Sequence, residues 1–425
     1  MTILIFATVL LGAVAIGMPI AFALLATAVA LMLHLDAFDI EIIGLQMVNG
    51  VDSFPLLAVP FFLLAGEAMN AGGLSRRLID FCMALVGHLK GGLGYVAIFT
   101  ALILASLSGS AVADTAALAA MLLPVMRQAG YDAGRSAGLI ASGGIIAPVI
   151  PPSIGYIIFG VAGGVSITRL FLAGIVPGVL MALALAVTWW ATCRIDQLKA
   201  MPRKTWAEAG RAFLSSIFAL FLPVIIVGGL KLGIFTPTEA AVVACVYAIF
   251  AGFVIYGELT PAKLYRCAVQ AVRTTAAVMF LVGAAAVTAY LITIANVPAE
   301  ITAMLGPFAD HPILLMVVIQ IIVIIVGTAL DFIPTILILT PVLLPVAKQA
   351  GIDPVYFGVV FVINCAIGLL TPPVGTVLNV CSAVGRLPLA SVIRGVLPFL
   401  VAETAILFLL TFFPQLVTVP ARWLY

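Results

Sequence analysis

The stretch Leu122-Leu-Pro-Val-Met-Arg-Gln-Ala-Gly-Tyr-Asp132 returns 221 residues later as Leu343-Leu-Pro-Val-Ala-Lys-Gln-Ala-Gly-Ile-Asp353. Carried forward without a gap, the same offset lays Pro151-Pro152 on Pro372-Pro373. Carried backward, it lays the polar interruption Ser108–Asp114 on Ala329–Thr335, which contains Asp331. A match that keeps its register at both ends defines an internal repeat, and the repeat decides the fold.

Around it, hydrophobic residues make up 64% of the chain and charged residues 8%, against roughly 45–50% and about 25% in soluble domains. No soluble core buries that much apolar surface, so lipid is the solvent. A helix spans a bilayer with about 20 apolar residues. Backbone groups in lipid must pair internally, which leaves helices or a closed barrel. The runs here are continuous and rich in Leu, Ala, Val and Gly, so the chain is all-α and polytopic. No basic n-region or small-residue cleavage site accompanies the apolar run from Ile3, which is therefore expected to be retained. The six cysteines show no CxxC spacing and read as small core-filling residues. Three histidines near span ends offer no zinc or haem site, and no cofactor is expected. The absence of a GxxxxGK[ST] loop excludes an ATP-driven mechanism within this chain, and no nucleic acid is expected as a partner.

Continuous spans are predicted near 3–33, 54–71, 137–161, 169–193, 212–232, 237–256, 276–296, 357–383 and 390–415. Two further apolar stretches, 93–127 and 312–348, are interrupted by polar residues. The loop after the fourth span carries Arg194, Lys199, Arg203, Lys204 and Arg211 with Asp196 and Glu208. Cytoplasmic loops collect Lys and Arg, so this loop faces the cytoplasm. The same bias puts 72–92, 257–275 and 384–389 inside. Asp36, Asp39, Glu41, Asp52, Glu300 and Asp310 then lie on the opposite side. Segments 74–90 and 261–275 are amphipathic and basic on one face, as helices lying in the headgroup layer are.

An odd number of spans separates the two interrupted hairpins, so the copies face opposite ways. Inverted repeats signify alternating-access transport with a site near the midplane. Each arm of the first hairpin, about fifteen residues, reaches only about 22 Å of the roughly 30 Å hydrocarbon core. The tip therefore stops inside the membrane, where its free carbonyls need a partner, and a cation supplies one. Ser106, Ser108, Ser110 and Thr115 add hydroxyl oxygens and Asp114 a full charge. Sodium, a hard cation, suits such an oxygen shell. After each hairpin a span breaks, at Ala141–Gly155 and at Asn364–Thr376, because prolines remove N–H groups and clash with the carbonyl four residues back. Two unequal oxygen-rich sites follow: Ser108, Ser110 and Asp114 with carbonyls near Gly144 and Pro151, and Asp331 and Thr335 with carbonyls near Gly368 and Pro372. Glu67, Glu239 and Glu403 are the other acids in apolar surroundings, which default to functional candidates. The first two lie near span ends, where capping or snorkelling suffices. Glu403 stands isolated.

In these residues the chain resembles the large membrane subunit of the tripartite ATP-independent periplasmic (TRAP) transporters, over nearly its whole length. The resemblance rests on Pro60–Gly73, Ser108–Asp114, Gly143–Ile154, Gly233–Ala240 and Leu370–Gly375, and within the family it is to permeases for sugar acids such as 2,3-diketogulonate. It implies an inner-membrane, sodium-coupled symporter that moves a carboxylate-bearing solute (a sugar acid, sialic acid or dicarboxylate) by an elevator motion. It also implies two partners, a small four-span membrane subunit and a periplasmic solute-binding protein. The solute carboxylate is expected near Pro152–Ser153 and Pro373–Val374, where broken-helix N-termini point at it. The expected organisation is scaffold spans over 1–72, an interfacial arm helix over 73–92, and the first hairpin and broken helix over 93–165. Scaffold spans and the cytoplasmic loop follow over 166–260, then a second arm helix and span over 261–311. The second hairpin and broken helix occupy 312–386 and a last span 387–425. The competing readings are a channel, an intramembrane aspartyl protease and a self-sufficient sodium–anion symporter. No GxGD surrounds Asp114 or Asp331, and the geometry catalysis requires is missing, so no enzyme is expected.

Overall fold

The computed structural model describes residues 2–195, 202–301 and 311–424, and these are helical without a strand. Among them, seven helices are long and apolar enough to cross a membrane. Asp196, Lys199 and Asp310, used above to orient the loops, lie outside the described residues.

The repeated stretch is explained by local chemistry. In both copies a glycine in the left-handed region, Gly130 (φ 82°) or Gly351 (φ 74°), ends one helix, where a side chain would be strained. The aspartate two residues on caps the next. Asp132 accepts the Arg135 N–H at 2.7 Å and Asp353 the Tyr356 N–H at 2.8 Å, satisfying donors that a helix start leaves open. Helices α6 (Gly92–Ser108), α7 (Ala111–Gln128), α8 (Ala133–Gly144) and α9 (Ile154–Gly163) make up the first copy. The second is α14 (Pro312–Gly327), α15 (Phe332–Gln349), α16 (Pro354–Gly368) and α17 (Thr376–Gly385). At the 221-residue offset α15 and α16 start where α7 and α8 do. Both breaks begin where a proline ring would strike the carbonyl four residues back. Pro148 stops α8 at Gly144, and Pro372 stops α16 at Gly368.

The copies interlock. Helix α9 packs on α15 and α7 on α17. A Cβ at Gly155 would stand 2.5 Å from the Phe332 ring, so α9 and α15 meet only because that residue is glycine. Helix α18 (Leu389–Phe412) lies along α8, with Gly134, Gly138 and Gly395 letting the backbones touch, as small residues do between membrane helices. The long α10 (Ile167–Ile195) is pinned at its far end by Trp189, whose indole N–H donates to the Gly91 carbonyl at 2.8 Å.

Outside this bundle lie α2 (Ile20–His34), α3 (Ile40–Val51), α4 (Ala58–Ala71), α12 (Pro237–Phe250) and α13 (Pro261–Ile294), with α4 packed between α12 and α13. The arm helix α5 (Leu74–Val86) buries Leu74, Leu78, Ile79 and Cys82 and packs on α6 and on α11 (Trp206–Lys231). Arg77 ties it down through Glu258 at 2.8 Å and by stacking over Tyr256 at 3.9 Å.

Three sequence expectations change. The span expected over 3–33 is two helices, α1 (Thr2–Ala15) and α2, because Gly17 (φ 82°) and Pro19 turn the chain. The pair folds back, bringing Ile5 and Phe6 against the cluster of Ala28, Leu31 and Met32. The arm segment 261–275 is no separate helix: it runs on as α13 to Ile294, with no Gly or Pro to break it before Gly283. The acidic loop between the first spans contains α3, started by Asp39, which accepts the Glu41 N–H at 2.8 Å. A last helix, α19 (Gln415–Leu424), follows α18.

Candidate functional site

The first half-site is built at the tip between α6 and α7. Gly109 (φ 63°) lets α6 turn without strain, and Ser110 caps α7, accepting the Ala113 N–H at 3.4 Å. Asp114 sits in the first turn of α7, where a helix start favours negative charge. It is only 2% exposed. Its Oδ1 accepts a hydrogen bond from the Ser108 hydroxyl at 2.5 Å, and that hydroxyl in turn accepts from the Ser110 N–H at 3.1 Å. Asp114 Oδ2 and Thr115 Oγ1 are buried and have no hydrogen-bond partner among the described residues. Such groups carry a desolvation cost of about 1–3 kcal/mol each.

The first break closes over these oxygens. A Cβ added at Gly144 would lie 1.8 Å from Thr115 Oγ1 and 3.2 Å from the Ala111 carbonyl oxygen. A Cβ at Gly109 would lie 2.4 Å from the Pro152 carbonyl oxygen. Two glycines thus allow the end of α8 and the break to reach the hairpin tip. Ser108, Ser110, Asp114 and Thr115, all named from the sequence, lie at one tip, with Gly144 against Thr115 and the Pro152 carbonyl, rather than that of the expected Pro151, against Gly109. Pro151 and Pro152 are joined by a cis peptide, as are Pro372 and Pro373. Ser153 is fully buried: its hydroxyl donates to the Pro148 carbonyl at 2.5 Å and accepts the Tyr156 N–H at 3.2 Å, capping α9. Ser106 donates to its own helix at Ile103.

The second half-site is differently made. Asp331 caps α15 by position and accepts from the Thr376 hydroxyl at 3.0 Å, which ties the tip to the start of α17. Thr335 donates back to the Asp331 carbonyl at 2.8 Å and is 1% exposed. Gly368 faces Gly327 so closely that a Cβ there would meet the Gly327 Cα at 3.2 Å. Behind them Asn364 donates to both the carbonyl and the side-chain oxygen of Gln320, at 2.8 and 2.6 Å. Pro373 and Val374 are exposed, whereas Pro152 and Ser153 are covered. Repeat matching could not find Thr376 or the Asn364–Gln320 pair. Their counterparts at the offset are Gly155, Gly143 and Phe99.

No Lys, Arg or His lies in either tip or break. Glu239 is a cap: with Thr236 it forms a reciprocal capping box at the start of α12. Glu67 is partly exposed on α4, with its backbone carbonyl accepting the Cys267 thiol. Glu403 is fully buried on α18, and neither carboxyl oxygen has a partner among the described residues.

Helices that stop and restart beside buried oxygens, with seven membrane-length helices among the described residues, define a polytopic membrane transport protein. The chain belongs to the DctM component family of the tripartite ATP-independent periplasmic transporters, whose model matches residues 7–416. It is 55% identical over 424 residues, and the full length of both chains, to the 2,3-diketo-L-gulonate TRAP transporter large permease YiaN of Escherichia coli. It is 39% identical over 405 residues, 95% of each chain, to the sialic acid TRAP transporter large permease SiaM of Vibrio cholerae. The solved structure of the Alcanivorax borkumensis YdaH transporter shares the fold, with TM-score 0.62 and 16% identity over 86% of each chain. The protein is a large permease subunit and not an enzyme.

Proposed function

We propose that this permease imports a carboxylate-bearing solute across the bacterial inner membrane together with sodium. One observation carries the reading: the paired buried oxygens Asp114 Oδ2 and Thr115 Oγ1, unpartnered at a hairpin tip that holds no cationic side chain. An oxygen-only cluster bearing one carboxylate suits a hard monovalent cation, which offsets the cost of burying that charge. A second, weaker site forms at Asp331, Thr335 and the carbonyls near Gly368 and Pro372. The solute carboxylate sits between the half-sites, near Pro152–Ser153 and Pro373–Val374, facing helix starts.

In this reading the two copies are inverted, and α6–α9 with α14–α18 rise and fall as one body against α2–α4, α12 and α13. A periplasmic binding protein delivers the solute and a small membrane subunit completes the scaffold. The named substrates of the relatives, a diketo-gulonate and sialic acid, favour a sugar acid as cargo.

The test is uptake by the large and small subunits reconstituted in liposomes, with binding protein outside and an inward sodium gradient. Solute should accumulate only with both. Equal uptake in potassium refutes the sodium coupling. Uptake without the binding protein favours a self-sufficient symporter.

A further inference from the structure

Between the two bodies lies a cavity of about 590 Å³, within the range of about 300–1,000 Å³ that ligand pockets occupy. One wall is formed by α9 and α15, the other by α3, the turn after it and α13. The cavity lies about one and a half turns along α9 and α15 from the helix starts of the two half-sites. Ile158 follows Ser153 by five residues, about 8 Å along α9, and Leu337 follows Asp331 by six, about 9 Å along α15.

The walls differ in chemistry. Ile158, Leu337 and Pro341 make the bundle side apolar. The opposite side presents Gln46, Asn49, Ser53 and Tyr290, whose side chains make no hydrogen bond among the described residues. Thr293 also lines it but donates to its own helix at Ala289. No lining residue is charged. Amides and hydroxyls both donate and accept, which matches ligand hydroxyls. They can donate to a second carboxylate but supply no counter-charge for it, whereas ligand hydroxyls need none.

We infer that this wall is a solute-recognition surface for hydroxyl groups, so that the permease itself selects polyhydroxylated monocarboxylates over C4-dicarboxylates. The inference rests on the proposed function for where the carboxylate is held. It adds Gln46, Asn49, Ser53 and Tyr290 as specificity-determining residues contributed by the body that stays still. A site built to hydrogen-bond a hydroxyl rejects an analogue lacking it, because its own polar groups are then left unpaired.

All six native cysteines are buried, so in an Asn49→Cys variant the exposed thiol at position 49 alone reacts readily with maleimide. In the purified complex, 2,3-diketo-L-gulonate should slow that reaction severalfold and succinate should not. Equal slowing by both, or by neither, overturns the inference. In uptake assays Gln46→Ala and Asn49→Ala should each raise KM for the sugar acid about three- to tenfold, the value of one hydrogen bond, with kcat kept. An unchanged KM also overturns it. Wild-type uptake separates the two readings. If the wild type takes up the sugar acid with sodium but position 49 is not protected, only this inference fails. If the wild type takes up neither solute, the proposed function fails first.

Discussion

The Ser108 hydroxyl lies 2.5 Å from one oxygen of the Asp114 carboxylate, while the other oxygen is buried and has no partner. One side of the carboxylate is thus fixed by the hairpin's own tip, and the hydroxyl of the next residue, Thr115, is likewise buried without a partner among the described residues. A charge held this way keeps its direction and lacks a counter-charge.

Asp114→Asn should therefore raise the sodium concentration for half-maximal uptake by about tenfold or more. The estimate follows from about 1.5–3 kcal/mol for interactions with a charged group. Asp331→Asn should have a smaller effect, because that carboxylate is partly exposed and already bonded to Thr376. Sodium titrations at matched expression give the comparison. Wild-type sodium dependence in Asp114→Asn would make this acid structural.

Gly144→Ala should abolish uptake, since its Cβ would stand 1.8 Å from Thr115 Oγ1. Overpacking of this kind costs about 1–3 kcal/mol, so the melting temperature should fall as well. Adding Thr115→Ala should restore the melting temperature without restoring sodium affinity. If the double variant stays unstable, the clash with Ala111 rather than Thr115 is decisive.

Glu403→Leu should leave the protein as stable as the wild type or more so. Both carboxyl oxygens are buried without partners, and a similar-sized apolar side chain removes that desolvation cost of about 1–3 kcal/mol per group. Thermal unfolding in nanodiscs measures it. A marked loss of stability would reveal a ligand or partner for Glu403.

Arg203→Cys should resist a membrane-impermeant maleimide applied to intact spheroplasts, and Asp39→Cys should react. Both positions are exposed, and the native thiols are buried and stay silent. The Lys/Arg bias of the loops sets the expectation. The opposite labelling pattern would invert the orientation.

Much of the site was legible because its signals are local. Gly130 and Asp132, and again Gly351 and Asp353, mark a helix end and the next start through backbone conformation and capping alone. Pro148 and Pro372 place the breaks by a clash fixed four residues back. Family motifs and the offset of 221 residues then joined the halves. Thr376 and the Asn364–Gln320 pair were less visible, since nothing in spacing says which polar group faces a partner from another helix.

By itself, the sequence determined that the chain is helical, lies in lipid, and repeats a hairpin and a broken helix with acids at both tips. Those properties follow from apolar run length, proline and glycine, which act within one or two turns. Only the tertiary structure decided that α4 packs between α12 and α13 and that α18 lies along α8. It also decided that the Pro152 break is covered while Pro373 is exposed, and that Gln46 and Asn49 face the same cavity as Leu337. Each of these depends on contacts between segments far apart in the chain. In so apolar a sequence nearly every helix face is hydrophobic, so periodicity does not say which face meets which, and small residues such as Gly144, Gly155 and Gly395 acquire meaning only once the neighbour that fills their space is in place.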